Sequence, residues 1–390
     1  MTIIGLGEDG LAGLPEASRA ALDRAEIIFG GPRHLELVTA GSRGRTWLVP
    51  FSIDPVLSER GRPVVVLASG DPFWFGAGGS LAQVLPAGEW TCHPAPSTFS
   101  LAAARMGWRL EEVLCFGLHA APFTRLRPIL TEGQNVLCLL RDGAAAGELA
   151  AWLTGQGFGL SRLSVLERLG GARERRRDCT AGDFDLPDVQ APVAVALQAA
   201  GAKGLPRTPG LPDDLFASDG VMTKRTVRAL TLSALSPRAG EVLWDLGAGS
   251  GSVSVEWCLA APGASAHAVE ARADRLCNIV ANAEGFGLAH RLLSHRQDWP
   301  EGLQSLARPD AVFIGGGANQ AGTETLFQLL PAGVRLVMNA VTIETEMLLI
   351  ELQQQKGGSL SRFDIAEAQP LGRMLGWVPA RPVVQWSVTL

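Results

Sequence analysis

The chain has 390 residues, which is too long for one typical domain and predicts two or three. Its composition, 47% hydrophobic and 19% charged, is that of a globular protein, and a net charge of −5 argues against a nucleic acid partner. The six cysteines are scattered and include no Cys-x-x-Cys pair, so they predict neither a disulfide framework nor a metal site. Because no long apolar run is present, we expect a cytoplasmic protein without a membrane partner.

Strands and helices alternate in the first half of the chain. Apolar runs predict strands at 2–5, 64–68, 135–140 and 193–197, and helices are expected at 99–106 and 145–155. We therefore expect an amino-terminal domain, 1–200, made of two small α/β lobes at roughly 1–110 and 111–200. A linker rich in glycine and proline follows at 201–212.

The second half, 213–390, alternates along its whole length. The predicted strands are 242–246, 265–270, 291–295, 310–315, 334–340 and 383–388, and the predicted helices are 223–235, 252–260, 272–284, 320–330 and 344–355. This alternation is typical of a doubly wound, Rossmann-like α/β fold, whose parallel sheet binds ligands at the carboxyl ends of its strands.

A glycine loop follows the first strand of this half. Asp245 is followed by Gly247, Gly249 and Gly251, and Glu270 ends the next strand. Glycines let the backbone approach a ligand, and Glu270 can accept hydrogen bonds from both hydroxyls of a ribose. The loop lacks the Gly-x-x-Gly step of dinucleotide sites, so it favours S-adenosylmethionine (SAM) over a nicotinamide or flavin cofactor or a chance glycine turn. The alternatives that involve no ligand are a helix N-cap for Asp245 and a surface charge for Glu270.

Further candidate cofactor ligands in this half are Thr223, Ser250, Asp298, Trp299, Gly315 and Gly316. We expect Asp298 to accept from the adenine amino group and Trp299 to pack beside the base, although Asp298 also suits a turn. The glycines at 315–317 predict a backbone that passes close to a large flat substrate, or else a plain turn.

Several cations lie near the start of helix 223–235, for which Thr223 is the expected N-cap. Lys224, Arg225 and Arg228 oppose the helix dipole there, so they indicate either binding of a polyanionic substrate or a solvated basic face. Arg373, on a late loop, is a similar candidate for substrate carboxylates. The inner face of the helix is expected to contain Val227, Leu230 and Ala234.

Three motifs of the first half resemble those of the tetrapyrrole methylases of corrin and siroheme synthesis. They are Gly-Leu-Gly at 5–7, Ser-Gly-Asp-Pro-x-x-Phe-Gly at 69–76 and Pro-Ala-Pro-Ser-Thr at 94–98. Phe-Gly-Gly-Pro-Arg-His-Leu at 29–35 and Gly-Leu-His at 117–119 are similar to the C5-methylating branch of the cobalamin pathway. The resemblance implies a cofactor site near Gly70, Asp71, Ser97 and Thr98.

The second half resembles the C15-methylating, decarboxylating subunit of the same pathway, at 220–224, 244–249, 313–317 and 339–345. The fused order resembles the precorrin-6Y C5,15-methyltransferases (decarboxylating). It implies one SAM per domain, a tetrapyrrole substrate, and conversion of precorrin-6B to precorrin-8X with loss of the ring C acetate carboxyl. We also expect a homo-oligomer. The alternatives are a bifunctional methyltransferase acting on another acidic planar substrate or on RNA, and a SAM-sensing scaffold with inactive sites.

One departure from the family pattern concerns the opening loop. The family usually has Gly-x-Gly-Pro-Gly, whereas Glu8 and Asp9 occupy the last two positions here. Two carboxylates therefore lie near a site that is expected to bind a polycarboxylate, which bears on the substrate contacts and the activity of the first domain.

Overall fold

The structure, a computed structural model, describes residues 1–390, which divide into two units. The first unit contains Met1–Phe123 and Leu130–Lys203, and the second contains Thr124–Ile129 and Gly204–Leu390. None of the helices combines the length and the apolar character that a membrane span requires.

The first sheet of the first unit is parallel. Its strands are β1 (Thr2–Leu6), β2 (Ile27–Gly30), β3 (Gly44–Thr46), β4 (Val64–Ser69) and β5 (Thr91–His93), in the order β3-β2-β4-β1-β5. Its helices are α1 (Glu16–Arg24), α2 (Pro32–Leu37), α3 (Asp54–Leu57), α4 (Ala77–Ala82) and α5 (Thr98–Met106). The central strands β1 and β4 are buried because helices and loops cover both faces, which explains their continuous apolar runs. Their carboxyl ends lie side by side.

The second sheet of this unit is mixed. It contains β6 (Leu114–Gly117), β7 (Asn135–Leu139), β8 (Arg162–Glu167), β9 (Arg175–Thr180) and β10 (Val193–Gln198), in the order β6-β7-β10-β8-β9, and the helix α6 (Ala144–Gly155). The edge strand β9 has no apolar pattern. Its Arg175 and Arg177 pair instead with the buried carboxylate of Glu167 on β8, which stabilises a strand that hydrophobic periodicity does not predict.

The second unit has a seven-stranded sheet. Its strands are β11 (Val242–Leu246), β12 (Ser265–Glu270), β13 (Leu292–Arg296), β14 (Ala311–Ile314), β15 (Arg335–Ala340), β16 (Ser359–Phe363) and β19 (Val383–Thr389), in the order β13-β12-β11-β14-β15-β19-β16. Its helices are α7 (Arg225–Leu235), α8 (Ser252–Ala260), α9 (Ala273–Gly285), α10 (Gln320–Leu329) and α11 (Ile343–Lys356). The first five strands in chain order are parallel and β19 is antiparallel, so the doubly wound fold predicted from the sequence is confirmed.

A separate hairpin of β17 (Ala366–Leu371) and β18 (Met374–Pro379) is also present. The sequence did not predict it, because its strands are almost entirely exposed and carry no pattern of alternate burial. Every strand and helix that the sequence predicted for 213–390 is present, and its boundaries differ from the prediction by at most two residues.

Candidate functional sites

The glycine loop of the second unit packs backbone against backbone. Strand β11 lies between β12 and β14, so the loops that follow these strands meet at one edge of the sheet. Gly247 has a φ of 68°, and a Cβ atom there would lie 2.5 Å from the carbonyl oxygen of Gly316. The N–H groups of Gly247 and Ala248 both donate to Val269 O at 3.0 Å. The loop is therefore held in a conformation that only glycine adopts without strain.

Glu270 fixes this loop from the end of β12. Its Oε2 accepts a 2.9 Å hydrogen bond from Gly249 N, and its Oε1 accepts one of 3.0 Å from Arg272 N. The residue is only 6% exposed, so the alternative of a surface charge is wrong. Each oxygen has a second lone pair, which leaves capacity to accept from a diol.

Asp245 is buried at the end of β11 and uses one oxygen as a helix cap. Its Oδ2 accepts from Ser254 N at 3.2 Å and from Ser254 Oγ at 2.7 Å, in the first turn of α8. Its Oδ1 and the hydroxyl of Ser250 are buried without a protein partner. Burial raises the pKa of Asp245 to about 6. Orphaned polar atoms next to a backbone that admits no Cβ fit a polar ligand such as SAM.

The other predicted ligands of this half differ in exposure. Asp298 is exposed and has no hydrogen-bond partner, whereas Trp299 is 9% exposed and packs in the core with Leu246 and Val312. The ring of Trp299 therefore mainly contacts protein. Gly315 and Gly316 are exposed at the end of β14, beside the glycine loop.

The basic helix α7 differs from the prediction. It begins at Arg225, with Lys224 at the N-cap position and no side-chain cap, so the N-cap assignment of Thr223 is wrong. The predicted inner face is wrong at Leu230, which is 36% exposed, whereas Val227 is partly buried and Ala234 is partly buried and packs against the core. The buried residues are Arg228, Thr231, Leu232 and Leu235.

Arg228 is part of the core and not of a basic surface. Its Nε donates to Glu256 Oε1 at 2.6 Å, its Nη1 pairs with Asp213 at 3.0 Å, and its guanidinium lies 4.6 Å from the Phe216 ring centroid. The side chain is 0% exposed, so it cannot bind substrate. The sequence suggested a surface cation at this position. Its partner Glu256 lies 28 residues away in the chain, so no local pattern indicated the ion pair.

The remaining cations stay candidates for substrate binding. Lys224 and Arg225 are exposed near the start of α7, and Arg225 donates to Gly210 O at 2.7 Å. Arg373 lies in the exposed turn between β17 and β18, and no hydrogen bond or ion pair joins it to the glycine loop. None of the three forms an ion pair with a carboxylate of the chain.

A cavity of about 460 Å³ lies in the first unit, at the carboxyl ends of β1 and β4. Gly70, Ser97 and Thr98 line it, as the resemblance implied, whereas Asp71 does not. The loops are closely packed, because a Cβ atom at Gly5 would lie 2.5 Å from Ala95 N and one at Gly70 would lie 2.9 Å from Pro96 O.

Two of the predicted residues have clear local functions. Ser97 caps α5 by accepting from Ser100 N at 3.0 Å. Asp71 Oδ1 accepts from Phe73 N at 2.9 Å, which makes it a turn residue. The backbone of the cavity thus offers close approach to a ligand, while these two side chains organise the loops around it.

The wall of this cavity carries a polar cluster that was not among the site residues predicted from the sequence. Arg33 pairs with Glu8 and donates to Ser69 Oγ at 2.9 Å, and His34 Nε2 lies 2.8 Å from the same oxygen. Burial, together with the charge of Arg33, lowers the pKa of His34 to about 4, so its imidazole is neutral at pH 7. The only sequence signal was the segment 29–35, which contains Arg33 and His34.

Aromatic rings line another part of the cavity, beside aliphatic side chains. Trp74 and Phe75 lie 5.0 and 5.9 Å from Phe99, centroid to centroid, and Trp47 lies 5.1 Å from Phe51. Phe51 and Phe75 are more than half exposed, at 52% and 55%. A cavity with aromatic walls and a small charged cluster suits a flat, largely apolar ligand with acidic substituents.

Known families match both units. Residues 1–185 match the family described as Tetrapyrrole (Corrin/Porphyrin) Methylases, and residues 214–390 match the one described as Precorrin methyltransferase domain. A crystal structure of the C-terminal domain of precorrin-6Y C5,15-methyltransferase from Rhodobacter capsulatus is 52% identical, covers 48% of this chain and 100% of its own, and aligns with a TM-score of 0.46.

Curated relatives match the chain from end to end. The precorrin-6Y C(5,15)-methyltransferase [decarboxylating] of Sinorhizobium sp is 46% identical over 397 residues, covering 100% of this chain and 96% of the relative. The protein of that name from Mycobacterium tuberculosis (strain CDC 1551 / Oshkosh) is 41% identical and covers 99% of both chains. These matches confirm the resemblance found in the sequence motifs. The chain belongs to the family of decarboxylating precorrin-6Y C(5,15)-methyltransferases.

Proposed function

We propose that this enzyme methylates a precorrin at C5 and C15 and releases the ring C acetate carboxyl as CO2, with one SAM bound in each unit. Family membership over the full length supports the reaction. The observation that carries the assignment of a cofactor to the second unit is the glycine loop, held by Glu270 and flanked by the unpartnered Oδ1 of Asp245 and hydroxyl of Ser250.

In the second unit, the backbone of Gly247 and Gly249 lets the cofactor approach, and Glu270 accepts from its ribose. Asp245 Oδ1 and Ser250 Oγ, which have no partner in the protein, would hold polar groups of the bound cofactor. SAM supplies an electrophilic methyl group on a sulfonium. The protein contributes mainly position, because the meso carbons of the macrocycle are already nucleophilic and need only alignment in a dry site.

Decarboxylation is assigned to the same unit. The bond between the acetate CH2 and its carboxyl carbon breaks, CO2 leaves, and the electron pair enters the macrocycle, which methylation at C15 has made electron-poor. The CH2 carbon then takes up a proton to become a methyl group, and the macrocycle releases one proton to solvent. Lys224, Arg225 and Arg373 hold peripheral carboxylates, since all three are exposed cations without a carboxylate partner in the chain. Binding the other carboxylates fixes the macrocycle while the acetate leaves.

In the first unit, the cofactor binds in the cavity next to Gly70, Ser97 and Thr98, and methylation takes place at C5. The position of Gly70, Ser97 and Thr98 in the wall of the cavity supports this assignment. The aromatic walls provide a surface for the face of the macrocycle.

We also propose that the enzyme is a homo-oligomer in which a second copy covers the hairpin β17–β18. Four large apolar residues of this hairpin are at least 70% exposed, namely Leu371, Met374, Leu375 and Trp377. The register of the hairpin places Leu371 and Met374 on one face and Leu375 and Trp377 on the other. Exposed apolar surface of this kind marks protein interfaces. Sedimentation of Trp377→Ser against the unchanged chain tests this, and an identical mass for both contradicts it.

The reaction is tested by incubating the purified chain with precorrin-6B and methyl-labelled SAM, followed by mass spectrometry. Gain of two labelled methyl groups and loss of one CO2 is expected. A product with methyl groups but no loss of CO2 contradicts the proposal. Labelling of added RNA, or an absorbance change at about 340 nm with a nicotinamide cofactor, identifies the rival activities.

A further inference from the structure

The polar cluster in the cavity of the first unit has more positive charge than its one carboxylate neutralises. Glu8 pairs with Arg33, and its side chain is 12% exposed. Arg168 is a second cation near Arg33. Burial is the main cause that lowers the pKa of Arg33, and the positive charge of Arg168 lowers it further. His34 is neutral at pH 7. The carboxylate of Asp9 lies against Gly7 and Gly13, and it forms no ion pair with Arg33 or Arg168.

Arg33 is also held in a fixed orientation. Its Nη2 donates to Ser69 Oγ at 2.9 Å and lies 3.0 Å from His34 Nε2, while its Nη1 faces Glu8. Its side chain is 35% exposed and lines the cavity. A guanidinium that is fixed by neutral partners on one side can exchange the carboxylate on its other side without losing its position.

We propose that Arg33 is the carboxylate anchor of the first active site and that Glu8 is its resident counter-ion, which a carboxylate of the tetrapyrrole displaces. This inference rests on the proposed function of the first unit and identifies which substituent the site recognises. Glu8 then acts as an internal competitor. Glu8 weakens the binding of every acidic ligand, because the ligand must displace it. The pair of Glu8 and Arg33 nevertheless favours a ligand with a carboxylate at this position over a neutral ligand.

Uroporphyrin III, a flat tetrapyrrole with carboxylate substituents, and its neutral methyl ester are suitable probes. Their fluorescence is titrated with the full-length enzyme in its unchanged form and with Glu8→Gln, Arg33→Gln and the double variant. Only the binding phase that belongs to the first unit should respond. There we expect about tenfold weaker affinity for uroporphyrin in R33Q, because a charge-assisted hydrogen bond to the ligand is lost. We expect about three- to tenfold tighter affinity in E8Q, because Arg33 no longer has to exchange Glu8 for the ligand. The double variant should match R33Q, and ester binding should not respond.

The control variant is Glu26→Gln, which removes an exposed ion pair with Arg62 in the same unit. It should bind both probes as the unchanged enzyme does. Calorimetric titration with S-adenosylhomocysteine shows that each variant is folded, and Arg33→Lys, which keeps the charge but loses the planar fork, serves as the milder variant.

Either E8Q or R33Q leaving uroporphyrin affinity unchanged overturns the proposal, as does an equal change for the ester. A failure of the proposed function has a different signature, since the unchanged enzyme would then add no methyl group at C5. The two outcomes are therefore distinguishable.

Discussion

Arg228 on α7 donates a 2.6 Å hydrogen bond from its Nε to Oε1 of Glu256 on α8, and both side chains are buried. The same carboxylate accepts from Gly210 N at 2.6 Å and from Leu211 N at 2.9 Å. One ion pair therefore joins two helices of the second unit to the segment that precedes them. Arg228 therefore serves the fold and is not available to substrate.

Arg228→Met should destabilise the second unit by about 3–5 kcal/mol, because it leaves the charge of Glu256 buried and unpaired. Lys224→Met is the matched control, since Lys224 is exposed and should change stability by less than about 0.5 kcal/mol. Urea unfolding of the two variants measures this. Equal stability of both would show that Arg228 is not a structural residue.

Gly247→Ala should lower the stability of the second unit by about 1–3 kcal/mol and weaken cofactor binding, because the residue has a positive φ and its Cβ would meet Gly316 O. Gly316→Ala is the control on the other loop, where a Cβ meets nothing within 4 Å. Thermal unfolding with and without S-adenosylhomocysteine compares them. If Gly247→Ala is as stable as Gly316→Ala, the close approach of the loops has no energetic role.

Asp245→Asn should stabilise the protein at neutral pH. The folded state raises the pKa of Asp245 from 3.8 to about 6, so it favours the protonated acid. The stability contribution of this group is fully present below pH 3.8 and is lost as the pH rises through 6, a loss of about 3 kcal/mol. Asparagine does not titrate, so the stability gain of the variant should grow between pH 4 and pH 7.

Urea unfolding across this pH range measures the effect. Asp274→Asn is the control, because the pKa of Asp274 is lowered to about 2, mainly by its hydrogen bond from Arg272, and the group is ionised in both states above pH 5. Its stability difference should stay flat between pH 5 and pH 7. A flat profile for Asp245→Asn as well would mean that Asp245 is ionised in the fold at little cost.

Glu270→Ala and Asp245→Ala should each abolish C15 methylation and CO2 release together, because both residues belong to the cofactor site that we propose for the second unit. Isothermal titration with S-adenosylhomocysteine should show loss of one of two sites, while the site in the first unit still binds. No loss of a site in either variant would count against the assignment of the glycine loop to SAM.

The sequence identified those features that local chain properties determine. Strands β11, β12 and β14 were predicted because each is apolar and followed by turn residues, and their parallel order places Gly247, Glu270 and Gly315 at one edge of the sheet. Gly70 and Ser97, which line the cavity of the first unit, were named from the sequence because each lies in a contiguous motif. The family and its methyltransferase activity followed from the same motifs, and the full-length relatives confirm them.

Only the tertiary structure decided the roles of charged residues. Arg228 and Lys224 are four positions apart on one basic segment, yet one is buried and the other exposed, because Glu256 lies opposite only the first. Likewise, Glu8 stands where the family pattern predicts no carboxylate, and its partner Arg33 lies 25 positions further along the chain. The sequence of this protein determines where the backbone carries no side chain and where strands end, since both features depend on neighbouring residues. Which charges are neutralised depends on long-range packing, so only the folded chain reveals it.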